Sequence, residues 1–334
     1  MKRDADAPRQ QTFPLFHSSS GADNMSSVTL AESAKLAQDE LVAGVIENII
    51  TVNRMFDVLP FDSIDGNSLA YNRENTLGDV INAGVGTTFT AKGAGKNPAT
   101  FTKVNSNLTT IMGDAEVNGL IQATRSGDGN DQTAVQIASK AKSAGRQYQD
   151  QLINGDGTGD EFVGLINLVA SSQKINTGTN GGALSFTILD ELMDQVLDKD
   201  GQVDYLAMHA RTIRSYKALL RALGGASINE VVELPSGAEV PAYCGTPIFR
   251  NDYIPTNQVK GTGSNQTTIF AGTFDDGSRT HGITGLTAAN AAGIQVVPVG
   301  EKEDADEFIW RVKWYCGLAL FSEKGLAAAD GITN

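Results

Sequence analysis

The longest regular pattern in the chain runs from residue 131 to residue 155, where apolar and small residues recur at helical spacing. Residues three, four and seven positions apart share one face of an α-helix, and no Pro interrupts the segment. The stripe consists of Ala134, Ile137, Ala138, Ala141, Gly145, Tyr148 and Leu152. At 1.5 Å per residue, the pattern predicts a helix roughly 34 Å long.

The ends of this segment carry helix signals as well. Asp131 supplies a cap-type side chain at the start, and Asn154-Gly155 is a left-handed stop signal at the end. Four residues of the stripe are too small to fill a globular core, which predicts packing at close range on a sheet or on another chain. These residues are Ala134, Ala138, Ala141 and Gly145. The alternative at this point is an ordinary core helix of an enzyme.

An alternating pattern marks residues 308–321 near the other end of the chain. The even positions are apolar, while Arg311 and Lys313 point the other way, and this period of two is typical of a β-strand. The strand would span roughly 45 Å at ~3.3 Å per residue. We expect this long strand, with Trp310 and Trp314, to lie along the long helix as a shared spine.

Residues 66–112 have a different character, with many Gly, Thr and Asn residues and short alternating pieces. The pattern predicts a two-stranded β-excursion around a flexible tip. Because an isolated two-stranded ribbon is marginal in water, we expect it to contact a neighbour. Its charge is mildly positive, since Arg73, Lys92, Lys96 and Lys103 outnumber Glu74 and Asp79.

Two further regions complete the pass along the chain. Residues 1–24 are polar, with Phe13 and Phe16 among the few large apolar anchors, and a helix is predicted from about residue 27 until before Pro60. Residues 161–299 alternate helix and strand patterns and predict a compact α/β unit. Its predicted elements are helix 188–197, strand 203–209, helix 211–223 and strands near 247–250 and 268–271.

Composition narrows the function classes. With 26 basic and 39 acidic residues the net charge is −13, and a strongly acidic surface argues against ordinary nucleic-acid recognition, which needs basic patches. Cys244 and Cys316 are too few for a disulfide framework, so we expect reduced, intracellular thiols. No run of 18 apolar residues occurs, and we expect neither membrane insertion nor export.

The motifs of common enzymes and cofactor sites are incomplete in this sequence. Gly95-Lys96 lacks both the upstream Gly and the following Ser or Thr of a phosphate loop, and the GxG pairs lack the third glycine of a dinucleotide loop. No histidine has a cysteine or carboxylate at metal-ligand spacing, and no G-x-S-x-G elbow occurs. The histidines are His17, His209 and His281. We therefore expect no enzyme activity, catalytic residue, metal or cofactor.

The order of parts resembles the major capsid protein of tailed phages, whose fold also occurs in encapsulins and in the herpesvirus capsid floor. The resemblance covers nearly the whole chain and is carried by packing and turn motifs. These are Leu59-Pro60-Phe61 with Gly66-Asn67, Leu152-Ile153-Asn154-Gly155-Asp156-Gly157 with Phe162-Val163-Gly164-Leu165, and Trp314-Tyr315-Cys316-Gly317-Leu318-Ala319.

The resemblance implies an α+β fold of the tailed-phage major capsid type and a division of the chain into four parts. Residues 1–58 would form the N-terminal arm (N-arm) and its helix, and residues 66–112 the extended β E-loop. Residues 113–160 with 300–334 would form the peripheral P-domain, which includes the long spine helix. Residues 161–299 would form the axial A-domain.

The function implied is structural. Pentamers and hexamers of the chain would build an icosahedral phage head around double-stranded DNA, without sequence-specific binding, in a virion assembled in the host bacterial cytoplasm. Scaffold, portal and decoration proteins are the further partners implied, and the short segment before Met25 favours a separate scaffold protein or none. The expected contacts between subunits involve Phe13, Phe16, Arg73, Lys92, Lys96, Lys103, Glu303, Asp304 and Asp306.

Two alternatives stay open at this point. An encapsulin-type compartment would share the fold and hold protein cargo instead of a genome. A soluble α/β enzyme would instead be a compact monomer or small oligomer with a pocket.

Overall fold

The computed structural model describes residues 54–86, 88, 95–125, 131–197, 201–223 and 230–333. Of the predicted N-terminal arm, only residues 54–58 fall within these ranges, so Phe13 and Phe16 lie outside the described residues, as does Lys92. The α-helices in the described part are α1 (Gly119–Arg125), α2 (Gln132–Asn154), α3 (Leu165–Leu168), α4 (Phe186–Leu197) and α5 (Ala210–Ala222).

The strands fall into three sheets. They are β1 (Phe61–Ile64), β2 (Ser68–Thr76), β3 (Thr100–Asn107), β4 (Thr109–Asn118), β5 (Lys174–Asn176), β6 (Tyr205–Met208), β7 (Val231–Glu233), β8 (Glu239–Tyr243), β9 (Thr246–Arg250), β10 (Gln258–Lys260), β11 (Gly263–Gly272), β12 (Ile283–Ala288), β13 (Gln295–Glu301), β14 (Glu307–Leu320) and β15 (Leu326–Ile332).

The central sheet is built around β14, a strand of 14 residues, which confirms the predicted long closing strand. On one side β14 pairs with β4 in antiparallel register, from Glu307 opposite Asn118 to Cys316 opposite Thr109. It also pairs with β13 along its first half and with β12 along its second half, and β1 extends the sheet beyond β12. Three strands, β4, β12 and β13, therefore pair directly with this one long strand.

The long helix α2 packs on the central sheet through a cluster of aromatic rings. The Tyr148 side chain is fully buried, and its ring centroid lies 4.6 Å from that of Trp314 and 5.3 Å from that of Phe162. Ala141 packs against the same core, whereas Trp310 is only half-buried. The predicted pairing of a long helix with a long strand is therefore present in the fold, centred on Trp314.

Ala141 packs on the core as predicted, but Ala138 and Gly145 do not pack on the sheet within the subunit. Ala138 is exposed, and a Cβ added at Gly145 would have no other atom within 4 Å. The buried residues concentrate in the second half of α2, because that half lies over the core. Apart from Gln132 at its start, the buried residues of the helix are Ala144, Tyr148, Gln151, Leu152 and Ile153.

The start of α2 is capped as predicted, whereas its end is not formed in the predicted way. The Asp131 side chain accepts a hydrogen bond from the Thr133 backbone N–H, as a cap residue does. Gly155 is not left-handed, since its φ is −50°, so the predicted stop is wrong in mechanism. Glycine is needed there because a Cβ would fall on the carbonyl oxygen of Phe162 and lie 2.7 Å from that of Gln151.

Exchanging two glycines should separate a required position from a dispensable one. Gly155→Ala should destabilise the subunit by about 1–3 kcal/mol, because its Cβ would meet backbone atoms that cannot rotate away. Gly145→Ala is the control, since it meets open space within the subunit and should gain up to about 1 kcal/mol of helix propensity. Urea unfolding of both variants measures the difference, and equal midpoints would contradict it.

The large sheet contains the predicted α/β unit. Its strand order is β5-β15-β11-β6-β9-β8-β7, with β10 paired to β11, and β6 and β9 are parallel. Helices α4 and α5 cover one face through a core that includes Leu189, Val196 and Tyr216. The predicted helices 188–197 and 211–223 and strand 203–209 correspond to α4, α5 and β6.

The sheets divide the chain differently from the predicted domains. β12 and β13, between residues 283 and 301, belong to the central sheet, although residues 161–299 were assigned to one unit. β15 belongs to the large sheet, although residues 300–334 were assigned to the other. The sheets do not follow these two predicted boundaries, because the partner of a strand depends on long-range contacts that its own residues do not specify.

The predicted β-excursion is confirmed as a two-stranded antiparallel ribbon of β2 and β3. Its register runs from Ser68 opposite Asn107 to Thr76 opposite Thr100. The predicted end at residue 112 is too late, because β4 begins at Thr109 and already pairs with β14. We call β2, β3 and the connecting residues 77–99 the ribbon.

Candidate assembly interface

The ribbon leaves large apolar side chains in solvent. Both of its strands are mostly exposed, and Val80 in the connecting segment is 92% exposed. Apolar exposure clustered in this way is typical of a contact surface for another molecule. In the described part of the ribbon, the large apolar residues that are exposed are Leu77, Val80, Ile81, Val85 and Phe101.

A carboxylate joins the two chain segments that continue beyond the ends of β2 and β3. Asp79 accepts hydrogen bonds from the backbone N–H and from the side-chain Nδ2 of Asn97, both at 2.8 Å. The backbone N–H of Gly95 and then those of Asn97 lower the pKa of Asp79 below its ordinary value. The carboxylate therefore stays charged at neutral pH, and the two sides of the tip are tied together.

The base of the ribbon is bound to its own subunit, and this corrects one predicted contact. Arg73 was expected to reach a neighbour, but its guanidinium donates to the carbonyl oxygens of Leu320 and Phe321 and pairs with Glu323. Lys103 is exposed on β3, and Lys96 is exposed beside the tip. Of the predicted basic contacts that the structure describes, these two lysines present their side chains at the surface.

A second exposed surface lies at the far end of the central sheet. We call β13 and the turn 302–306 the hairpin edge. Among the described residues, β13 pairs only with β14, so its other side is an open sheet edge. Val296, Val297 and Val299 on this strand are all more than one-third exposed.

The turn of the hairpin edge is acidic. Glu303, Asp304 and Asp306 are exposed there, whereas Glu307 forms an ion pair with Lys302 at 3.6 Å. The Asp306 backbone carbonyl also accepts a hydrogen bond from the Gly119 N–H, which fixes the turn against the end of β4. The three predicted acidic contacts therefore lie together on one surface that carries apolar side chains as well.

On the sheet face opposite α2, an ion pair ties two central strands together. The Arg311 guanidinium donates to both carboxylate oxygens of Asp114 at 2.7 Å. These hydrogen bonds lower the pKa of Asp114, so the pair keeps its charge at neutral pH. It stiffens the sheet from which the hairpin edge projects.

The described histidines and cysteines, which could take part in catalysis or metal binding, have structural roles or lie apart from one another. His209 begins α5, where its Nδ1 accepts the Arg211 N–H at 3.0 Å, and burial lowers its pKa. Cys244 is exposed and Cys316 is buried, and burial raises the pKa of the Cys316 thiol to about 12. In the described ranges, no cluster of His, Cys, Asp or Glu could hold a metal ion, and no helix there is both long and apolar enough to cross a membrane.

Several solved structures share this fold along nearly their whole length. The holo-SrpI encapsulin of Synechococcus elongatus PCC 7942 is 18% identical with a TM-score of 0.69, covering 92% of this chain and 96% of that one. The capsid of an empty GTA particle is 12% identical with a TM-score of 0.59, covering 91% and 98%. The capsid of Myoviridae phage XM1 is 11% identical with a TM-score of 0.59, covering 92% and 99%.

These identities are low, so the structural likeness establishes the fold alone, the one that phage capsids and encapsulins share. No curated protein sequence matches the chain. A family model does match: that of the SU10 major capsid protein, over residues 44–233. The match covers more than half of the 334 residues. This match shows that the chain belongs to the SU10 major capsid protein family, with a structural role in the capsid.

Proposed function

We propose that the chain assembles as pentamers and hexamers into a closed icosahedral head that encloses double-stranded DNA in the virion. The observation that carries the proposal is the ribbon, which exposes apolar side chains that a monomer would not leave in water. The net charge of −13 suits a wall that does not adhere to DNA. Assembly in the host cytoplasm, with scaffold, portal and decoration proteins as partners, is part of the same proposal.

The proposal also assigns parts to the chain. Residues 1–58 act as the N-terminal arm, with Phe13 and Phe16 as anchors on neighbouring subunits, and the ribbon acts as the E-loop. The central sheet with α2 acts as the peripheral domain, and the large sheet with α4 and α5 acts as the axial domain. The ribbon buries little surface within its own subunit. Contacts with neighbouring subunits therefore supply the free energy that holds it in place.

Charge and apolar surface together support one docking arrangement. The ribbon presents Lys96 and Lys103 beside exposed Val80 and Phe101. The hairpin edge presents Glu303, Asp304 and Asp306 beside the exposed valines of β13. We infer that the ribbon of one subunit lies on the hairpin edge of the next, where apolar contact supplies affinity and charge fixes the register.

Reversing the two described lysines tests this arrangement. Lys96→Glu with Lys103→Glu should reduce the yield of closed shells at least about tenfold, since each like-charge contact opposes docking. The matched control is Arg214→Glu with Lys217→Glu, which makes the same charge change on the exposed side of α5. Glu303→Lys with Asp304→Lys should partly restore assembly of the ribbon variant. Unchanged shell yield in the ribbon variant would rule the arrangement out.

A compartment for protein cargo is the second candidate, and the TM-score of 0.69 to an encapsulin favours keeping it. Electron microscopy of the purified full chain, alone and with its neighbouring gene products, tests for closed particles. Nuclease-protected DNA in particles from infected cells supports the head. Particles filled with a single protein and lacking DNA would support the compartment, and a discrete small oligomer under all conditions would overturn both.

A further inference from the structure

The ribbon is held at its base by a small set of contacts. Leu69 and Tyr71 of β2, with Leu108, pack against a buried cluster that includes Leu286 and Phe321. Beyond this base the ribbon strands are largely exposed. The direction in which the ribbon leaves the subunit is therefore set near Tyr71 and Arg73.

Arg73 makes the most specific contacts at this base. Its Nε donates to the Phe321 carbonyl oxygen at 3.0 Å, and its Nη2 donates to the Leu320 carbonyl oxygen at 2.7 Å. Its Nη1 lies 2.6 Å from a carboxylate oxygen of Glu323. The three contacts fix the planar guanidinium against the end of β14.

Tyr71 reinforces the same attachment. Its hydroxyl donates to the Leu320 carbonyl oxygen at 2.6 Å, and its ring centroid lies 5.1 Å from that of Phe321. Residues 71 and 73 are two apart on one strand, so their side chains lie on the same face of the ribbon. One face of β2 is thus bound at two successive positions to the end of the longest strand in the fold.

We propose that Arg73 is a positioning residue that fixes the angle of the ribbon before a neighbouring subunit binds. A ribbon held in one direction reaches the same site on every neighbour. Less conformational entropy is then lost when it binds. Arg73 then acts as a determinant of uniform shell curvature. This inference rests on the proposed role of the ribbon in assembly.

The paired donors Nε and Nη2 of the guanidinium (its fork), and not its positive charge, hold the ribbon at this angle. The side chain of Arg73 is 15% exposed, whereas that of Glu323 is 48% exposed. An ion pair with such an exposed partner contributes little, while charge-assisted bonds to two partly buried carbonyls contribute more. Arg73→Lys keeps the charge and loses the fork, and Glu323→Gln loses the ion pair and keeps the fork.

Two measurements on the full chain test the proposal. Hydrogen exchange, recorded below the assembly concentration, should show amides of 68–76 and 100–107 exchanging about tenfold faster in Arg73→Lys, since Lys cannot make both hydrogen bonds of the guanidinium at once. Exchange in residues 144–153 of α2 should be unchanged, and Glu323→Gln should resemble the wild type. Electron microscopy should then show a broad range of shell diameters for Arg73→Lys and a uniform diameter for Glu323→Gln.

The outcomes separate this inference from the proposed function. Unchanged ribbon exchange in Arg73→Lys would overturn it, and so would uniform shells of wild-type diameter from a variant with a loosened ribbon. Equal loss of uniformity in Glu323→Gln would overturn the role of the fork. If the wild type forms no shells under any condition, the proposed function fails, and the exchange result still decides whether Arg73 anchors the ribbon.

Discussion

Tyr148→Ala should strongly destabilise the subunit. The Tyr148 side chain is fully buried, and its ring packs against those of Trp314, Phe162 and Phe61. Removing a buried ring of this size costs about 3–5 kcal/mol, against a total stability of about 5–15 kcal/mol for a typical domain. The loss falls at the contact between α2 and β14, which holds the central sheet together.

Soluble yield and urea unfolding measure this effect, with Tyr148→Phe as the control. Phe keeps the ring and loses the hydroxyl, which donates to the Gly317 carbonyl oxygen at 3.3 Å, so it should cost about 1 kcal/mol. A Tyr148→Ala subunit that unfolds at the wild-type urea concentration would show that the spine contact does not stabilise the fold.

Replacing the connecting residues 77–99 of the ribbon should abolish shells and leave the subunit folded. Thr76 lies directly opposite Thr100, and their hydroxyl oxygens are 2.6 Å apart. The strands can therefore be closed there by a two-residue Asn-Gly turn in place of residues 77–99. The exposed apolar side chains between residues 77 and 85 are lost, together with Lys96, while Tyr71 and Arg73 keep their contacts.

Thermal unfolding and electron microscopy separate the two parts of this expectation. The shortened chain should unfold within a few degrees of the wild type, since residues 77–81 and 83–86 contribute no buried side chain. It should form no closed shells at concentrations where the wild type does. A control that replaces residues 77–99 with a Gly/Ser linker of equal length distinguishes loss of contacts from loss of reach. Normal shells from the shortened chain would remove the tip from the proposed interface.

Periodicity predicted the parts of the fold that are long and locally encoded. Helix α2 and strand β14 lie within one residue of the predicted segments, because a stripe at 3.6-residue spacing and an alternation of period two each persist there for many residues. The ribbon was predicted from its Gly, Thr and Asn content and its short alternating pieces. Its far boundary was misjudged, because β3 and β4 are separated by the single residue Leu108.

The candidate interface was predicted in part. The acidic turn with Glu303 and Asp304 was visible as a run of charge, but the exposed valines of β13 were missed. Pro298, between those valines, is a signal that could have found them, because Pro in a strand is typical of an open edge. Arg73 was assigned to a neighbour because the sequence shows only its charge and not the carbonyls of Leu320 and Phe321.

The sequence by itself determined the long helix, the long strand, the ribbon and the α/β unit, since each depends on neighbours a few residues apart. Only the tertiary structure decided which sheet β12, β13 and β15 join, where Arg73 donates and why residue 155 is glycine. These depend on atoms that lie close in space and far apart in sequence, as with Arg73 and Phe321 or β15 and β11. A local pattern shows that a strand exists but does not specify the strand beside it.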